Sequence, residues 1–134
     1  MTDDRPPPTA GLRHVALRVE AFDACFDFYT EVLGMHVEWR PDRDTAFLTS
    51  GHDNLALHQA AEPPLKDKGQ RLDHIGFIVD AIDEVDRWHR YLRDQNVVIE
   101  KAPKTHRDGA RSFFCEDPDG TRIQIMFHPP LSPG

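Results

Sequence analysis

The chain has 134 residues, and 39% of them are hydrophobic, which suffices for one compact domain or for two small modules that share a core. The formal net charge is −7 without any basic run, so no partner surface for nucleic acid or an anionic membrane is expected. No apolar stretch is long enough to span a membrane.

The first half of the chain predicts a β-α-β-β-β order. Alternating polarity over residues 12–19 is typical of a half-buried strand. Apolar residues then recur at three- and four-residue steps, which predicts an amphipathic helix over residues 21–33 that Gly34 can end. Three further strands, with turns at Pro41-Asp42 and Ser50-Gly51, are predicted over residues 35–40, 45–49 and 54–59.

The second half repeats that order. A strand is predicted over residues 72–79, and a helix over 82–94. The remaining strands are predicted over residues 97–101, 111–116 and 121–127, and Asp117–Gly120 joins the last two as a hairpin turn. The pattern predicts an α+β fold in which two βαβββ modules form a curved mixed sheet around a cavity.

The expected division of the chain follows from its composition. Proline-rich segments at both ends are expected to be flexible tails, and a polar, proline-rich stretch is expected to link the modules. The predicted limits are a tail at 1–10, a first module at 11–61, a linker at 62–70, a second module at 71–128 and a tail at 129–134. Cys25 and Cys115 lack the spacing of a redox or metal motif, so we expect reduced thiols in a cytoplasmic protein.

A histidine occupies the same position in each copy of the repeat. His14 lies in the first strand of the first module and His74 in the first strand of the second. The apolar side chains of these strands must pack on the helices, so both histidines point the opposite way. The same alternation places His58 and Gln124, each in the last strand of its module, on the histidine side. The resulting polar concave face would form a cup.

Residues on this face are candidates for a metal site. Neutral imidazole suits divalent iron, zinc, nickel, cobalt and manganese, and an amide oxygen can complete such a site. We therefore take His14, His74 and Gln124 as candidate ligands, with His58 as a further candidate. A strand histidine can equally be a hydrogen-bonded structural residue, but two histidines in repeat register favour ligation.

Five other side chains are candidates for contacts with a small molecule. Arg18 could anchor an anionic group, or could simply be a surface arginine at a strand end. Trp39, Phe47 and Phe114 could line the cavity, although aromatic residues at strand positions are also common in cores. His52 lies in a predicted loop, where it could line the mouth of the pocket.

Four stretches together resemble the vicinal oxygen chelate superfamily, which includes glyoxalase I, type I extradiol dioxygenases, and fosfomycin- and bleomycin-resistance proteins. These stretches are Leu12–Leu17, Phe28–Met35, Leu72–Phe77 and Asp117–Ile125. The resemblance implies paired βαβββ modules around a divalent metal that chelates two neighbouring oxygens of a substrate. It also implies that such chains pair as homodimers, sometimes with each site shared between two chains.

The resemblance further implies roles for individual residues. His14 and His74 match the first-strand ligands, and Gln124 stands where the last-strand ligand is usually glutamate. A second glutamate, found in glyoxalase-like members, matches a position near Ala56, and His58 could substitute for it. Asp53 stands where extradiol dioxygenases have an acid–base histidine, and His52 is its neighbour.

Two functions follow as hypotheses. The first is a metalloenzyme that uses iron, manganese, nickel or zinc on a small molecule with vicinal oxygens, as a lyase, an isomerase or an extradiol-type dioxygenase. In that enzyme His58 or His52 would shuttle a proton. The second is a metal-free binding protein of the bleomycin-resistance kind, which sequesters a small molecule. A subunit or regulatory role is a third hypothesis.

Overall fold

A computed structural model describes residues 12–60, 72 and 74–132, and confirms the α+β class with two βαβββ modules. The first module contains β1 (His14–Val19), α1 (Phe22–Asp27) with a π-helical turn (Phe28–Val32), β2 (His36–Asp42), β3 (Thr45–Thr49) and β4 (Asn54–Gln59). The second module contains β5 (Ile75–Ile78), α2 (Ile82–Asp94), β6 (Ile99–Thr105), β7 (Arg111–Glu116) and β8 (Arg122–Phe127). The predicted linker and N-terminal tail lie outside the described residues.

Each module forms one four-stranded mixed sheet. Sheet I has the strand order β1-β4-β3-β2, and sheet II has the order β5-β8-β7-β6. In each sheet the last strand of the module returns to pair in parallel with the first, while the other neighbouring strands are antiparallel. In register, His14 lies opposite Asn54 in sheet I, and Gly76 lies opposite Gln124 in sheet II. His14 and Gln124 therefore lie on parallel strand pairs, whereas His74 lies one residue before β5 rather than within the predicted first strand.

The first helix departs from regular α geometry where the sequence predicts one continuous helix. The Thr30 hydroxyl donates to the Phe26 carbonyl at 2.7 Å, and so competes for an acceptor that a regular helix would use. The Leu33 amide instead bonds to Phe28, five residues earlier. Gly34, at φ +85°, then ends the helix as predicted.

Several predicted boundaries are wrong: β5 spans only Ile75–Ile78, β6 continues to Thr105, and two further differences have a clear cause. Pro41 and Asp42 belong to β2 rather than to a turn, since proline is tolerated in an edge strand. The turn comes at the next two residues, where the Asp42 carboxylate accepts the Asp44 amide at 2.9 Å. β6 starts two residues later than predicted, because Asn96 adopts φ +65° and the Val97 amide closes the end of α2 on Leu92.

One continuous core joins the two modules. It takes apolar side chains from one face of each sheet and from both helices. Leu48 and Phe113 from the two sheets, Tyr29 from the first helical segment, and Val85 and Leu92 from α2 are completely buried. The other face of each sheet is turned away from this core. We call these surfaces open face I and open face II.

A buried carboxylate connects the hairpin turn of the second module to the first. Asp117 accepts the Tyr29 hydroxyl at 2.8 Å, and its other oxygen accepts the amides of Asp119 and Thr121. The Asp119 carboxylate in turn accepts the amides of Glu20 and Ala21, just before α1. Burial, together with the Asp117 charge, raises the pKa of the Tyr29 hydroxyl, which therefore remains a donor.

The segment after β8, expected to be part of a flexible tail, forms a hydrogen-bonded turn over residues 128–132. The Ser132 hydroxyl accepts the His128 amide at 3.0 Å and donates to the Val79 carbonyl at 2.7 Å. These hydrogen bonds hold the segment beside Val79, the residue that follows β5. Neither helix among the described residues is long and apolar enough to cross a membrane.

Loss of the buried tyrosine–aspartate bond should destabilise the protein. We predict that Tyr29→Phe lowers the free energy of unfolding by about 1–2 kcal/mol. Asp117→Ala should lower it by about 3 kcal/mol, because this change also leaves the amides of Asp119 and Thr121 without their acceptor. Chemical denaturation followed by circular dichroism measures both changes. Tyr91→Phe is the matched control, because Tyr91 is 41% exposed. Equal stability of the Tyr29 and Tyr91 variants would contradict this role for Tyr29.

The two thiols should be inert in the folded protein. Burial raises the pKa of both Cys25 and Cys115 to about 12, so neither forms thiolate at neutral pH. We predict that an aromatic disulfide reagent at pH 8 labels neither thiol in the native protein and labels both after unfolding in guanidinium. Labelling of the native protein faster than it unfolds would contradict this prediction.

Candidate metal and ligand site

The candidate ligands lie on both open faces. His14 is on open face I, since it alternates with the core-facing residues of β1. Gln124 is on open face II by the same alternation in β8. The His74 ring meets the edge of the Phe114 ring at a centroid distance of 5.3 Å, and Phe114 is the cross-strand neighbour of Gln124. His74 and Gln124 therefore share open face II.

The His14 ring is held by hydrogen bonds along open face I. Its Nδ1 lies 2.7 Å from the Asn54 side-chain oxygen, and the Asn54 amide nitrogen donates to the Glu38 carboxylate at 3.2 Å. The ring itself lies on the protein surface. With Nδ1 engaged, Nε2 is the nitrogen that can reach a metal.

The Gln124 amide is also held in place. Its nitrogen donates to the hydroxyl of Ser112, a buried residue, at 3.1 Å. Its oxygen lies on the side of Gly76, where a Cβ atom would stand 3.7 Å away. The lack of a side chain at Gly76 leaves room beside this oxygen, which is the Gln124 atom that could bind a cation.

His58 lies apart from the other candidate ligands. Its register partner in β1 is Arg18, whereas that of Asn54 is His14. Four residues of strand separate the two levels, or about 13 Å. The described residues contain no group of three or more His, Cys, Asp or Glu side chains placed to hold a metal, so one chain does not gather His14, His58 and His74. The position that matches the family's second glutamate is Ala56, which is buried.

The predicted substrate-contacting residues are aromatic or cationic groups on the same faces. Trp39 is 60% exposed and stacks on Phe47 at 5.2 Å, and Phe47 meets the edge of His58. On open face II, Phe114 has Arg122 over its ring at 5.8 Å. Arg18, level with His58, is exposed.

His52 is exposed in the bend before β4. Its neighbour Asp53 has a structural task, because its carboxylate accepts the Ser50 amide at 2.6 Å and the Thr49 hydroxyl at 3.4 Å. The position that corresponds to the acid–base histidine of extradiol dioxygenases therefore closes a turn.

An acidic pair borders open face II. Arg122 forms an ion pair with Glu100 at 2.8 Å. A hydrogen bond with Glu100 raises the pKa of Glu116, since one proton shared between the two carboxyls relieves their repulsion. The positive charge of Arg122 is thus compensated by the carboxylate of Glu100.

Sequence reasoning did not predict the supporting residues. Asn54, Glu38 and Ser112 were not among the candidate residues. Strand parity could have found Ser112, because it alternates with core residues of β7. Glu38 could not have been found in this way, because it lies at an irregularity in the pairing of β2 with β3.

Comparison with known proteins confirms the resemblance. The chain belongs to the Glyoxalase/Bleomycin resistance protein/Dioxygenase superfamily, whose profile matches residues 11–125. It is 28% identical over 115 residues to metallothiol transferase FosB of Staphylococcus epidermidis, covering 85% of this chain and 79% of that protein. It is 34% identical over 125 residues to lactoylglutathione lyase of Neisseria meningitidis, covering 86% and 88%.

A solved structure agrees in fold. The crystal structure of lactoylglutathione lyase from Agrobacterium tumefaciens matches with a TM-score of 0.73 at 20% sequence identity, and the match covers 90% of this chain and 96% of that chain. At that identity the likeness concerns the fold alone.

Residue 124 offers a direct test of its contact with metal. We predict that Gln124→Glu tightens the dissociation constant for a divalent metal by about tenfold or more, because a carboxylate neutralises a hard cation better than an amide does. Competition with a chromogenic chelator measures this constant. The control is Gln95→Glu, which adds the same charge at the exposed end of α2. An affinity equal to that of the control would exclude position 124 as a ligand.

Proposed function

We propose that the protein is a metal-dependent enzyme that acts on a small molecule with two adjacent oxygen atoms. The observation that carries this proposal is the placement of two repeat-related histidines, His14 and His74, on the open faces, with Gln124 beside the second. Two imidazole nitrogens and an amide oxygen fit a divalent transition metal such as zinc, nickel, manganese or iron. The names of the two curated relatives, a metallothiol transferase and a lyase, support an enzyme.

A complete site needs both open faces. Each face is turned away from the core that the two sheets share within one chain. We therefore propose a homodimer in which open face I of one copy meets open face II of a second copy. His14 would then act with His74 and Gln124 of the other copy. The exposure of every residue of β2, the edge strand of sheet I, is consistent with a surface that a second copy covers.

The bound metal would supply Lewis acidity, holding the two substrate oxygens and polarising the bond between the carbon and its oxygen. The chain's own residues would bind the rest of the substrate. Arg18 lies about 13 Å along β1 from His14, so it can hold an anionic group at the far end of an extended substrate. His58, at the level of Arg18, is the candidate for moving a proton there. Trp39 and Phe47 would form an apolar wall.

Transferase or lyase chemistry has more support than ring cleavage with oxygen. Neither of the two curated relatives named above is an oxygenase by its name. Asp53, at the position of the dioxygenase acid–base histidine, accepts bonds inside a turn, and His52 is exposed beside it. We therefore propose a lyase, isomerase or transferase, and hemithioacetals are the first substrates to test.

One observation favours a second candidate, a metal-free protein that sequesters a small molecule. Gln124 is neutral where the family resemblance implies a glutamate, and the exposed Trp39–Phe47 stack can bind a flat apolar ligand without a metal. This candidate makes the opposite prediction for the histidine variants, since ligand binding would not depend on them.

The test is metal content and turnover in histidine variants. We predict about one equivalent of divalent metal per chain in the wild type by plasma mass spectrometry. His14→Ala and His74→Ala should each weaken metal binding by more than about 100-fold, since removing a ligand costs more than removing its support. Both should abolish hemithioacetal turnover.

The control variant is His106→Ala, in an exposed turn of the second module, and it should bind metal as the wild type does. Equilibrium sedimentation of each variant checks that the dimer persists. A wild type that remains empty after incubation with zinc, nickel, manganese and iron would overturn the enzyme proposal. Retained affinity for a flat ligand in that protein would support the sequestering function.

A further inference from the structure

We propose that Asn54 and Glu38 are positioning residues that hold the His14 imidazole in a single tautomer, with the proton on Nδ1 and the lone pair of Nε2 free for the metal. This inference rests on the proposed function. It assigns roles to two side chains that lie behind the ligand rather than on the metal.

The hydrogen bonds themselves determine where the proton lies. The Glu38 carboxylate can only accept, so the Asn54 atom that faces it at 3.2 Å must be the amide nitrogen. The Asn54 oxygen therefore faces His14, at 2.7 Å from Nδ1. Because that oxygen can only accept, Nδ1 must donate. A neutral imidazole has one proton, so Nε2 keeps its lone pair.

The fold brings Glu38 to this position through an irregular strand pairing. Val37 and Trp39 lie opposite Leu48 and Phe47, which are consecutive residues, so Glu38 is an extra residue in β2. Such a bulge redirects the side chain at the irregularity. Glu38 consequently reaches across β3 to Asn54 on β4, a span of two strand spacings.

The second module repeats the bulge without repeating the arrangement. Glu100 lies at the corresponding irregularity of β6, between Ile99 and Lys101, and bonds to Arg122. Arg122 immediately precedes Ile123, the register partner of Ile75, and so occupies the place that Asn54 has beside His14. A guanidinium has no hydrogen-bond acceptor, so it cannot accept a hydrogen bond from an imidazole N–H group. The orientation of His14 therefore depends on asparagine at position 54 rather than on strand geometry alone.

Three variants test this role. Asn54→Leu removes the acceptor at similar size, and Glu38→Ala removes the group that orients the amide. The double variant Glu38→Gln/Asn54→Asp exchanges amide and carboxylate. Position 54 then still accepts from His14, whereas the bond between the two positions reverses, so that position 38 donates and position 54 accepts. Net charge is the same as in the wild type. We expect Asn54→Leu to weaken zinc binding by about 10- to 100-fold and the exchanged pair to restore it to within about threefold.

Two measurements separate positioning from a general structural effect. In His14→Ala protein, Asn54→Leu should leave the remaining zinc affinity unchanged, since there is no ring to orient. In metal-free protein at pH 8, long-range ¹⁵N–¹H spectra of the histidine rings should show His14 protonated at Nδ1, with mixed tautomers after Asn54→Leu. The His14 signal is assigned by its loss in His14→Ala. Denaturation curves identify any variant that does not fold.

The outcomes distinguish this proposal from the proposed function. A wild type that binds zinc, with Asn54→Leu binding within threefold of it, overturns the positioning role and leaves the enzyme proposal intact. A His14 ring protonated at Nε2 in the metal-free wild type also overturns it. A wild type that binds no metal overturns the enzyme proposal and the metal-directed role of Asn54 together, whatever the tautomer.

Discussion

The buried carboxylate of Asp117 is the constraint on which the arrangement of the two modules depends. One of its oxygens closes the hairpin turn between β7 and β8, and the other accepts the Tyr29 hydroxyl from the first module. A buried carboxylate without these partners would be costly, so the turn and the helical segment are held in one relative position. Asp119 adds two bonds to the start of α1. The same turn that forms the hairpin thus fixes one sheet relative to the other.

This connection determines where chemistry can occur. Because the modules share one core, the inward face of each sheet is filled with apolar side chains. Every polar candidate, including His14 and Gln124, is consequently displayed on a face that the chain does not cover with its own core. Within the described part of one chain, the candidate residues thus lie on two separate faces. The helices are also unavailable as walls of the site, since they pack on the opposite sides of the sheets.

The sequence predicted the features that depend on local periodicity. Alternation in β1 and β8 correctly separated core residues from those of the open faces, and the bounds of α2, β3, β4 and β7 agree with the structure. The turn at Asp117–Gly120 was also predictable, because proline and glycine restrict its backbone in opposite ways. These features require no knowledge of distant contacts.

Features that depend on tertiary contacts could not be predicted in this way. Pro41 suggested a turn, and only the edge position of β2 explains why it lies in a strand. A bulge such as that at Glu38 changes which face a residue joins, so parity alone assigns it wrongly. The register between β1 and β4 places His58 level with Arg18 rather than with His14. The residue spacing within each strand does not specify this register, so the sequence pattern could not predict it.

The two modules differ at the repeat-related positions of their last strands, where two copies of one unit could carry the same residue. His14 lies in β1 and His74 lies one residue before β5, but the residues at the matching level of the last strands are Ala56 in one module and Gln124 in the other. At this level open face I thus offers one candidate ligand, His14, and open face II offers two, since His58 lies about 13 Å further along the sheet. Neither open face alone has, among the candidate ligands at this level, the three donors that a divalent metal needs for tight binding.

If the proposed site forms between two copies, metal binding and dimerisation are linked. A metal that binds only where the faces meet stabilises the dimer. Dimerisation strengthens metal binding by the same free energy, because the coupling between the two equilibria is reciprocal. The neutral side chain of Gln124 would then have a physical consequence beyond lower affinity. If the ligands themselves contribute less to the free energy of metal binding, that binding depends more on the protein contacts that bring the faces together. It also depends more on supporting groups such as Glu38.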